Sequence, residues 1–467
     1  MGARPATLGD LRASGWESVP VAEEIRRNVA ARIAAGRPLV DGLVGFGDTV
    51  LPQLENALLA GHDVIFLGER GQGKTRLIRS LVTLLDEWMP VVAGSEVNDD
   101  PYQPVSAEGR SIAGAAGDST PITWVRREER YSEKLATPDT SIADLVGEID
   151  PIRVAEGRYL SDERTLHYGL VPRSNRGIFA VNELPDLAER IQVGLLNLLQ
   201  ERDVQIRGHK VRLPLDLLLV ASANPEDYTS RGRIITPLKD RFGAQVRTHY
   251  PANAAEELAI VRQEAAPLGL AGLRVEVPAF MAHVVAEISH IARRDPHVNQ
   301  YSGVSVRVSI ANYETLVANA ARRALRCGES EVVPRVSDCA ALVASTAGKV
   351  ELDVFDDDDG ERVLAGFLEG ALASSFHAHL AGVPLDEAVA AFSDGRVVEV
   401  GDDVPARAYG VILAEMPELR APVRALVPTQ SAGAVASALE LVLEGLHLTG
   451  RLAKEVTGAH PAYRRIV

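Results

Sequence analysis

The order of apolar and polar positions divides the chain into a first part, in which buried strands alternate with helices, and a second part of amphipathic helices. Three near-continuous apolar runs predict strands covered on both faces, at Val64–Leu67, Ile178–Val181 and Leu217–Ala221. Helical spacing between them predicts helices at Leu77–Leu85 and Leu187–Gln200. This alternation predicts an α/β fold with a parallel sheet and a site at the carboxyl ends of its strands.

Two segments of the first part have a different texture. Apolar and charged residues follow helical spacing from Val21 to Ala35, which predicts a helical lead-in, and a helix at Thr49–Ala60 is predicted to end at Gly61. The stretch from about Ala93 to Tyr131 is rich in Gly, Pro, Ser and Asp and has no sustained period. It therefore predicts an insertion or mobile loop.

Beyond Pro251 the chain follows helical spacing. Helices are predicted at Phe280–Arg294, Arg307–Arg326, Val336–Val350, Arg362–Leu380, Leu385–Phe392, Arg407–Leu413 and Ala434–Val456. The acidic run at Phe355–Glu361 predicts a solvated linker, with a metal site as the alternative, because consecutive aspartates repel one another and seldom converge on one ion. We expect a helical lead-in (1–40), an α/β core (41–252, with the insertion at 93–131), a helical lid (253–352) and an all-α C-terminal unit (361–467).

Length and charge narrow the class of protein. A chain of 467 residues is too long for one core. No apolar run approaches the roughly 20 residues that span a bilayer, and the N-terminus lacks the layout of a secretory signal, so we expect no membrane span and a cytoplasmic location. The two cysteines, Cys327 and Cys339, are expected to be buried thiols in a reducing compartment.

The net charge of −15 argues against a general nucleic-acid binder, because such binding depends on neutralising phosphates. One local cluster of arginines stands against this balance, at Arg126, Arg127 and Arg130. It predicts either a basic face or, as the preferred interpretation, a solvated loop in which these arginines mix with neighbouring glutamates.

The run DVIFLGERGQGKTRLIRSLV contains the phosphate-binding pattern G-x-x-x-x-G-K-[ST] between an apolar strand and a helix. Backbone N–H groups of such a loop point at phosphates, and the helix N-terminus adds its positive end. Lys74 is expected to reach the β- and γ-phosphates of a nucleoside triphosphate, and Thr75 to bind Mg²⁺. An ordinary Gly-rich turn is the alternative. The expected nucleotide-binding residues are Gly68, Gly71, Gly73, Lys74, Thr75 and Arg76.

The strand Ile178–Val181 ends in Asn182 and Glu183, the layout of a Walker B strand. Glu183 is the candidate general base for water attack on the γ-phosphate. Asn182 stands where aspartate is usual, so its oxygen can bond to magnesium-bound water without supplying negative charge. The alternative is that Asn182 caps a following helix.

Two further polar residues follow the third strand. Asn224 comes directly after the run LLLVASA, where a strand tip can contact the γ-phosphate or the attacking water. Arg241, in the sequence LKDRF, is a candidate arginine finger that reaches a neighbouring subunit's nucleotide. A local salt bridge between Asp240 and Arg241 is the alternative.

A family resemblance rests on six segments, which are LVGFGDTVLPQLENALL, GERGQGKTRL, HYGLVPRSNRGIFAVNELPDL, LLNLLQERDVQIRG, LLLVASANPED and PLKDRFG. In this order they resemble the AAA+ ATPase module, in its magnesium-chelatase I-subunit/MoxR branch, through about Leu43–Pro251. The resemblance implies that VQIRGHKVRLPLD is a hairpin, that Leu145–Arg176 is an inserted segment, that Asn224 is sensor 1 and that Arg241 is the finger. The segment YSGVSVRVSIANYETL is similar to the sensor 2 region, which implies that Arg307 contacts the γ-phosphate; a plain helix start is the alternative.

The resemblance also implies an assembly and a reaction. We expect a homo-oligomeric ring that binds ATP and Mg²⁺, hydrolyses ATP and remodels or activates a protein partner in metal-cofactor insertion or complex assembly. It implies a partner with a von Willebrand A domain, whose D-x-S-x-S motif is absent from this chain. Tetrapyrrole chelation belongs to a multi-subunit enzyme and does not transfer from the motifs.

Two other functions remain open. One is a nucleotide-bound switch or scaffold, in which Asn182 leaves hydrolysis weak. The other is a nucleic-acid-linked motor or transcription activator built on the same module. Sigma-factor activators carry a G-A-F-T-G-A loop, which this chain lacks, so we expect the remodelling ATPase.

Overall fold

The computed structural model describes residues 4–149, 165–205, 212–224, 233–299, 302–353, 357–428, 431–457 and 460–466. The chain forms two compact units, Met1–His249 and Tyr250–Val467. Their boundary falls close to the border predicted between core and lid. The middle of the predicted hairpin (206–211) and much of the predicted inserted segment (150–164) lie outside the described residues.

The strands of the first unit are short, and the longest of them are buried. In chain order they are β1 (Val64–Leu67), β2 (Trp88–Val92), β3 (Ile122–Arg126), β4 (Tyr131–Leu135), β5 (Gly147–Ile149), β6 (Leu166–Tyr168), β7 (Gly177–Asn182), β8 (Asp203–Gln205), β9 (Arg212–Pro214), β10 (Leu217–Ala223) and β11 (Ala244–Arg247).

Five of these strands form the central sheet, in the order β11-β1-β10-β7-β4. All neighbours run parallel, so the carboxyl ends of β1, β10 and β7 meet at one edge. The register pairs Val64 with Val220 and Leu217 with Gly177. The predicted parallel α/β sheet is confirmed, and the three strands predicted from apolar runs are adjacent at its centre.

The described part of the first unit also contains helices. They are α1 (Leu8–Ala13), α2 (Val21–Ala34), α3 (Val50–Leu59), α4 (Lys74–Ser80), α5 (Ala107–Ala116), α6 (Ile142–Leu145), α7 (Leu170–Arg173), α8 (Glu189–Glu201) and α9 (Thr236–Arg241). Of these, α2, α3 and α4 pack on this sheet. The stretch at 93–131 is therefore not a structureless loop. It contains α5, capped by Ser106, and β3, which pairs antiparallel with β2. The small-residue composition concealed a short capped helix.

Successive residues of the central strands pack on opposite faces of the sheet, as the period of a β-strand requires. Ile65 and Phe179 belong to one apolar cluster, and Phe66 and Ile178 to another. Burial on both faces accounts for the uninterrupted apolar runs.

The lead-in packs on the first unit through a buried ion pair. Both terminal nitrogens of the Arg130 guanidinium, Nη1 and Nη2, donate to the carboxylate of Glu24 on α2, at 2.7 and 2.6 Å. These side chains are 1% and 6% exposed. The preferred interpretation of a solvated arginine loop is thus wrong for Arg130, because a distant helix supplies its partner. Arg126 and Arg127 do pair with Glu128 at the surface.

The second unit is mainly helical and carries short strands. Its helices are α10 (Ala254–Glu264), α11 (Ala279–Ala292), α12 (Val306–Cys327), α13 (Leu342–Ala347), α14 (Asp357–His379), α15 (Asp386–Ala390), α16 (Ala406–Glu415), α17 (Arg420–Leu426) and α18 (Ala432–Leu448). Its strands are β12 (Arg274–Val275), β13 (Glu331–Val332), β14 (Val398–Glu399), β15 (Leu452–Thr457) and β16 (His460–Arg465).

One apolar cluster joins the predicted lid to the predicted C-terminal unit, since Val284 of α11, Phe367 of α14 and Leu439 of α18 belong to it. The C-terminal part is also not purely helical, because β14, β16 and β15 form an antiparallel sheet. The helix predicted to reach Val456 ends at Leu448, and Gly450 adopts a positive φ of 71° before β15 begins. That left-handed turn suits glycine and stops the helix.

Three expectations from composition can be placed in this fold. The acidic run, described from Asp357 onward, opens α14, where the helix dipole favours negative charge. Within the described residues, no cluster of three or more His, Cys, Asp or Glu side chains could hold a metal, and no helix is long and apolar enough to cross a membrane. Cys327 and Cys339 are free thiols; Cys339 is buried and Cys327 is partly exposed.

Candidate functional site

The phosphate-binding loop lies between β1 and α4, and its glycines are required by geometry. Gly71 and Gly73 have φ values of 76° and 72°, in the left-handed region. A Cβ atom on Gly68 would lie 2.0 Å from Thr248 Oγ1 and 2.2 Å from Gln72 Oε1. Only glycine therefore fits the first position of the motif without movement of its neighbours.

Lys74, the first residue of α4, is held by oxygen atoms. Its Nζ donates to the carbonyl oxygens of Gly68 and Glu69, the latter at 2.8 Å, and to Asn224 Oδ1 at 2.5 Å. The lysine is buried. The loop and the tip of β10 thus fix the ammonium group beside the glycine-rich turn.

Asn224 also contacts the predicted general base. Its Nδ2 donates to Glu183 Oε2 at 2.6 Å, while its Oδ1 accepts from Lys74. An amide side chain can do this because it carries both a donor and an acceptor. Asn224 therefore joins the cation of the loop to the carboxylate at the end of β7.

Glu183 has a left-handed backbone, with φ 55° and ψ 49°. Such a conformation is uncommon for residues other than glycine, costs about 1–3 kcal/mol and is concentrated at functional sites. The Glu183 N–H donates to Ser222 Oγ at 3.2 Å. A hydrogen bond to the neighbouring strand β10 thus stabilises the sharp turn of the backbone that follows β7.

Asn182 is buried and uses both ends of its amide. Its Oδ1 accepts from Ser222 Oγ at 3.3 Å, and its Nδ2 donates to the carboxylate of Glu133. The short 3-10 turn after β7 has Glu183, not Asn182, at its N-cap and no side-chain cap bond. The geometry thus gives no support to the alternative of a helix cap by Asn182.

Glu133 on β4 contacts Asn182 in this cluster, and the sequence analysis did not predict it. Its carboxylate accepts from Arg79 Nε at 2.8 Å, Arg79 Nη2 at 3.0 Å and the Tyr131 hydroxyl at 2.8 Å, in addition to Asn182. Burial alone would raise the pKa of Glu133, but these hydrogen bonds and the charge of Arg79 hold its pKa below the usual value. The YSEKL sequence of β4 lacks the apolar run that identified the other strands.

The oxygen-bearing side chains near the end of β7 are of the kind that bind a magnesium ion. The Thr75 hydroxyl, the Asn182 amide and the Glu133 carboxylate are hard oxygen groups of the kind that Mg²⁺ prefers. Thr75 and Arg79 occupy positions i and i+4 of α4, so they lie on one face of that helix. Since Arg79 contacts Glu133, that face is directed at β4 and β7.

A cavity of about 440 Å³ lies against the phosphate-binding loop. It is lined by Leu67, Gly68, Glu69, Gln72, Lys239, Arg247 and Thr248. Beside the loop, the rings of Phe46 and His249 pack edge to face at 5.2 Å, and Phe46 approaches Gly73. A larger cavity of about 820 Å³ lies at the opposite ends of the strands, near Asp63 and Leu217.

The remaining predicted site residues are three arginines. Arg76 is exposed on α4. Arg241, at the end of α9, has a side chain 40% exposed and pairs with Asp240 at 2.9 Å. Arg307 is exposed near the start of α12 in the second unit, where its N–H donates to Ser305 Oγ at 3.1 Å. The first unit thus assembles Lys74, Asn182, Glu183 and Asn224, with Thr75 on the adjoining helix.

A parallel sheet of this order, with a glycine-rich loop after one central strand and polar residues at the tips of the next two, defines a P-loop nucleotide-binding fold. Comparison with known proteins agrees. A family model described as "Sigma-54 interaction domain" matches residues 154–240.

Curated relatives are magnesium-chelatase I subunits. The chain is 32% identical to the ChlI subunit of Anabaena variabilis over 43% of this chain and 56% of that protein. It is 30% identical to the chloroplastic ChlI-1 subunit of Arabidopsis thaliana over 43% of this chain and 45% of that protein. The chain thus spans about half the length of these relatives. These matches support an AAA+ ATPase module of the magnesium-chelatase I branch in this chain.

Solved structures were also matched. A model of the BchI–BchD complex of magnesium chelatase aligns with 69% of this chain and 97% of that one, at 23% identity and a TM-score of 0.35. NtrX from Brucella abortus aligns with 76% of this chain and 66% of that one, at 14% identity and a TM-score of 0.39. Scores this low add no argument to the one from sequence.

Proposed function

We propose that the protein is a magnesium-dependent ATPase that forms a ring and uses ATP hydrolysis to remodel or activate a protein partner, in metal-cofactor insertion or complex assembly. The observation that carries the proposal is the Asn224 amide, which joins Lys74 of the phosphate-binding loop to Glu183. A loop that only bound nucleotide would not need a buried link to a carboxylate at the end of the neighbouring strand.

Each residue has a part in this reaction. Lys74, now held by loop carbonyls, would exchange them for phosphate oxygens, and Thr75 and Asn182 would hold Mg²⁺ directly or through its water. The ion, when bound, supplies charge that stabilises the phosphates during transfer. Glu183 would accept a proton from water, and Asn224 would keep that carboxylate oriented towards the same region.

The ring is supported by the exposure of Arg241. Among the described residues, the partner shown for this arginine is the neighbouring Asp240, in an exposed pair of little energetic value. A finger acting in a neighbouring subunit must be free to leave such a pair. We further propose that Arg307 contacts the γ-phosphate of the nucleotide, and that the partner carries a von Willebrand A domain.

The test is hydrolysis of ATP by purified protein over a range of Mg²⁺ concentrations. Glu183→Gln should abolish turnover and leave ATP binding intact, because it removes the proton acceptor but keeps the shape. Lys74→Ala should weaken binding itself. The exposed Glu189→Gln on the nearby helix α8 is the matched control and should hydrolyse ATP normally.

Equal inactivity of the natural protein and Glu183→Gln at every Mg²⁺ concentration, with ATP still bound, would favour the alternative of a nucleotide-bound switch or scaffold. Absence of nucleotide binding would reject both functions. These outcomes separate a failure of catalysis from a failure of the site.

A second candidate is a transcription activator, which the match to a sigma-54 interaction domain favours. Against it stand the missing G-A-F-T-G-A segment and the net charge of −15. Binding of purified sigma-54 to the ATP-loaded Glu183→Gln protein would support this candidate. Capture of a von Willebrand A protein instead would support the remodelling function.

A further inference from the structure

The Walker B strand lacks its usual acid, yet a carboxylate lies beside the position where that acid would be. Glu133 accepts a hydrogen bond from Asn182 Nδ2. The register pairs Glu133 with Ala180 and Leu135 with Asn182. Since paired residues share a face, Glu133, Ala180 and Asn182 lie on the same side of the sheet, and the longer glutamate side chain reaches the strand tip.

We propose that Glu133 supplies the negative charge of the magnesium site that Asn182 cannot supply. This inference rests on the proposed ATPase function and adds a residue from a different strand to its metal site. In this proposal the acid of the magnesium site lies on β4 and not at the end of the adjacent strand β7, and Asn182 contacts it by a hydrogen bond.

The contacts of Glu133 suit this role better than a purely structural one. A carboxylate needed only to satisfy Asn182 could be fully buried, but the Glu133 side chain is 18% exposed at the edge of the site. Its main cationic partner, Arg79, is 64% exposed. An exposed arginine can move aside at little cost, because surface ion pairs contribute about 0–1 kcal/mol.

The position of Arg79 also ties Glu133 to the nucleotide loop. Arg79 lies on the same face of α4 as Thr75, the predicted magnesium ligand, and forms a two-point contact with Glu133. Thr75 thus lies on the helix face that contacts Glu133 through Arg79. Arg79 balances the charge of Glu133 when no cation is present.

The experiment removes the carboxylate at position 133 and then places one at position 182. Glu133→Gln should raise the Mg²⁺ concentration needed for half-maximal tightening of a fluorescent ATP analogue by about tenfold, the usual cost of losing a residue that supports a metal site. Binding of the analogue without Mg²⁺ should be unchanged. The double variant Glu133→Gln/Asn182→Asp should restore the natural Mg²⁺ dependence, because it returns one carboxylate to the same locality.

Two further variants separate charge from structure. Arg79→Ala breaks the same ion pair but leaves the carboxylate. The Mg²⁺ concentration needed for half-maximal tightening of the analogue should therefore stay the same or fall. Glu128→Gln, in an exposed ion pair near β4, is the matched control and should behave as the natural protein. Thermal melting of each variant without nucleotide and Mg²⁺ checks that the fold is retained.

If Glu133 only supports the fold, Glu133→Gln and Arg79→Ala will have the same effect and Asn182→Asp will not rescue. That result, or an unchanged Mg²⁺ dependence in Glu133→Gln, overturns the inference while the ATPase function stands. If the natural protein shows no Mg²⁺-dependent nucleotide binding, both proposals are wrong.

Discussion

The amide of Asn224 is asymmetric, and its surroundings use that asymmetry. Its oxygen faces the ammonium of Lys74 and its nitrogen faces the carboxylate of Glu183. A residue that could only accept, or only donate, would satisfy one of these neighbours and repel the other. This makes position 224 sensitive to changes that preserve size.

Asn224→Asp should therefore lower ATP turnover by about a hundredfold, the lower end of what a positioned general base contributes. The new carboxylate would still accept from Lys74 but would repel Glu183. Nucleotide affinity should change much less. Single-turnover hydrolysis and equilibrium binding measure the two effects, and natural turnover in Asn224→Asp would show that the bridge has no catalytic role.

Gly68 tests the packing of the phosphate-binding loop. An added methyl group would overlap Thr248 Oγ1 and Gln72 Oε1, so Gly68→Ala should lower the free energy of unfolding by about 1–3 kcal/mol. Gly366, within α14, has no atom within 4 Å of the place of an added Cβ. Gly366→Ala should be neutral or stabilising by up to about 1 kcal/mol. Urea unfolding compares them, and equal effects would contradict the packing argument.

Among the secondary-structure elements, α2 shows how a lead-in becomes part of a domain. Glu24 accepts from both nitrogens of the Arg130 fork and also from the Asp86 N–H at 2.6 Å. These bonds replace the water that both charges lose on burial. A buried pair with one partner removed leaves an uncompensated charge, which is the costly case.

Glu24→Gln should therefore destabilise the first unit by about 3 kcal/mol. Arg27→Gln is the control, since the pair of Arg27 with Asp86 is exposed and should contribute about 0–1 kcal/mol. The chain has three tryptophans, at 16, 88 and 124, all in the first unit. Urea unfolding followed by tryptophan fluorescence thus reports on this unit alone. Similar losses in both variants would refute the anchoring role.

The second unit shows the same principle in an apolar form. Helices predicted to belong to a lid and to a separate C-terminal unit share one hydrophobic cluster. Their separation in the sequence by an acidic run predicted a linker, but acids at a helix N-terminus are favourable and do not require a domain boundary. Packing, not local composition, defines the unit.

In the proposed ring, Arg241 of one subunit acts on the nucleotide of its neighbour. If Arg241 acts on a neighbouring subunit's nucleotide, a subunit with Arg241→Ala still offers an intact pocket, and one with Glu183→Gln still offers an intact finger. Mixing the two inactive variants should therefore restore part of the ATPase activity. The rate should rise with protein concentration, because assembly creates the site.

The control mixture combines Lys74→Ala with Glu183→Gln. Both changes damage the same pocket, so any interface between these two subunits still lacks a complete site and no activity should return. Failure of the Arg241→Ala and Glu183→Gln mixture, with rings still formed in light scattering, would place the finger within its own chain.

Patterns of residues that are close together in the sequence predicted much of the fold of the first unit. The loop from Gly68 to Thr75, the three apolar strands and the polar residues at their tips are readable because each depends on neighbours in the chain or on the period of one element. Glu183 and Asn224 were found in this way. Their joining through one amide follows from strand order, since parallel neighbours bring their carboxyl ends together.

Contacts between residues that are far apart in the sequence could not be predicted from such patterns. Glu133 lies beside Asn182, and Arg130 beside Glu24, although each pair is far apart in the sequence. Such contacts depend on which strands become neighbours and which helix covers them, and a charged residue in an irregular segment looks solvated until that is known. Motif and periodicity therefore predict the nucleotide loop and indicate the family that it resembles, while the placement of Glu133 beside Asn182 is decided by three-dimensional packing.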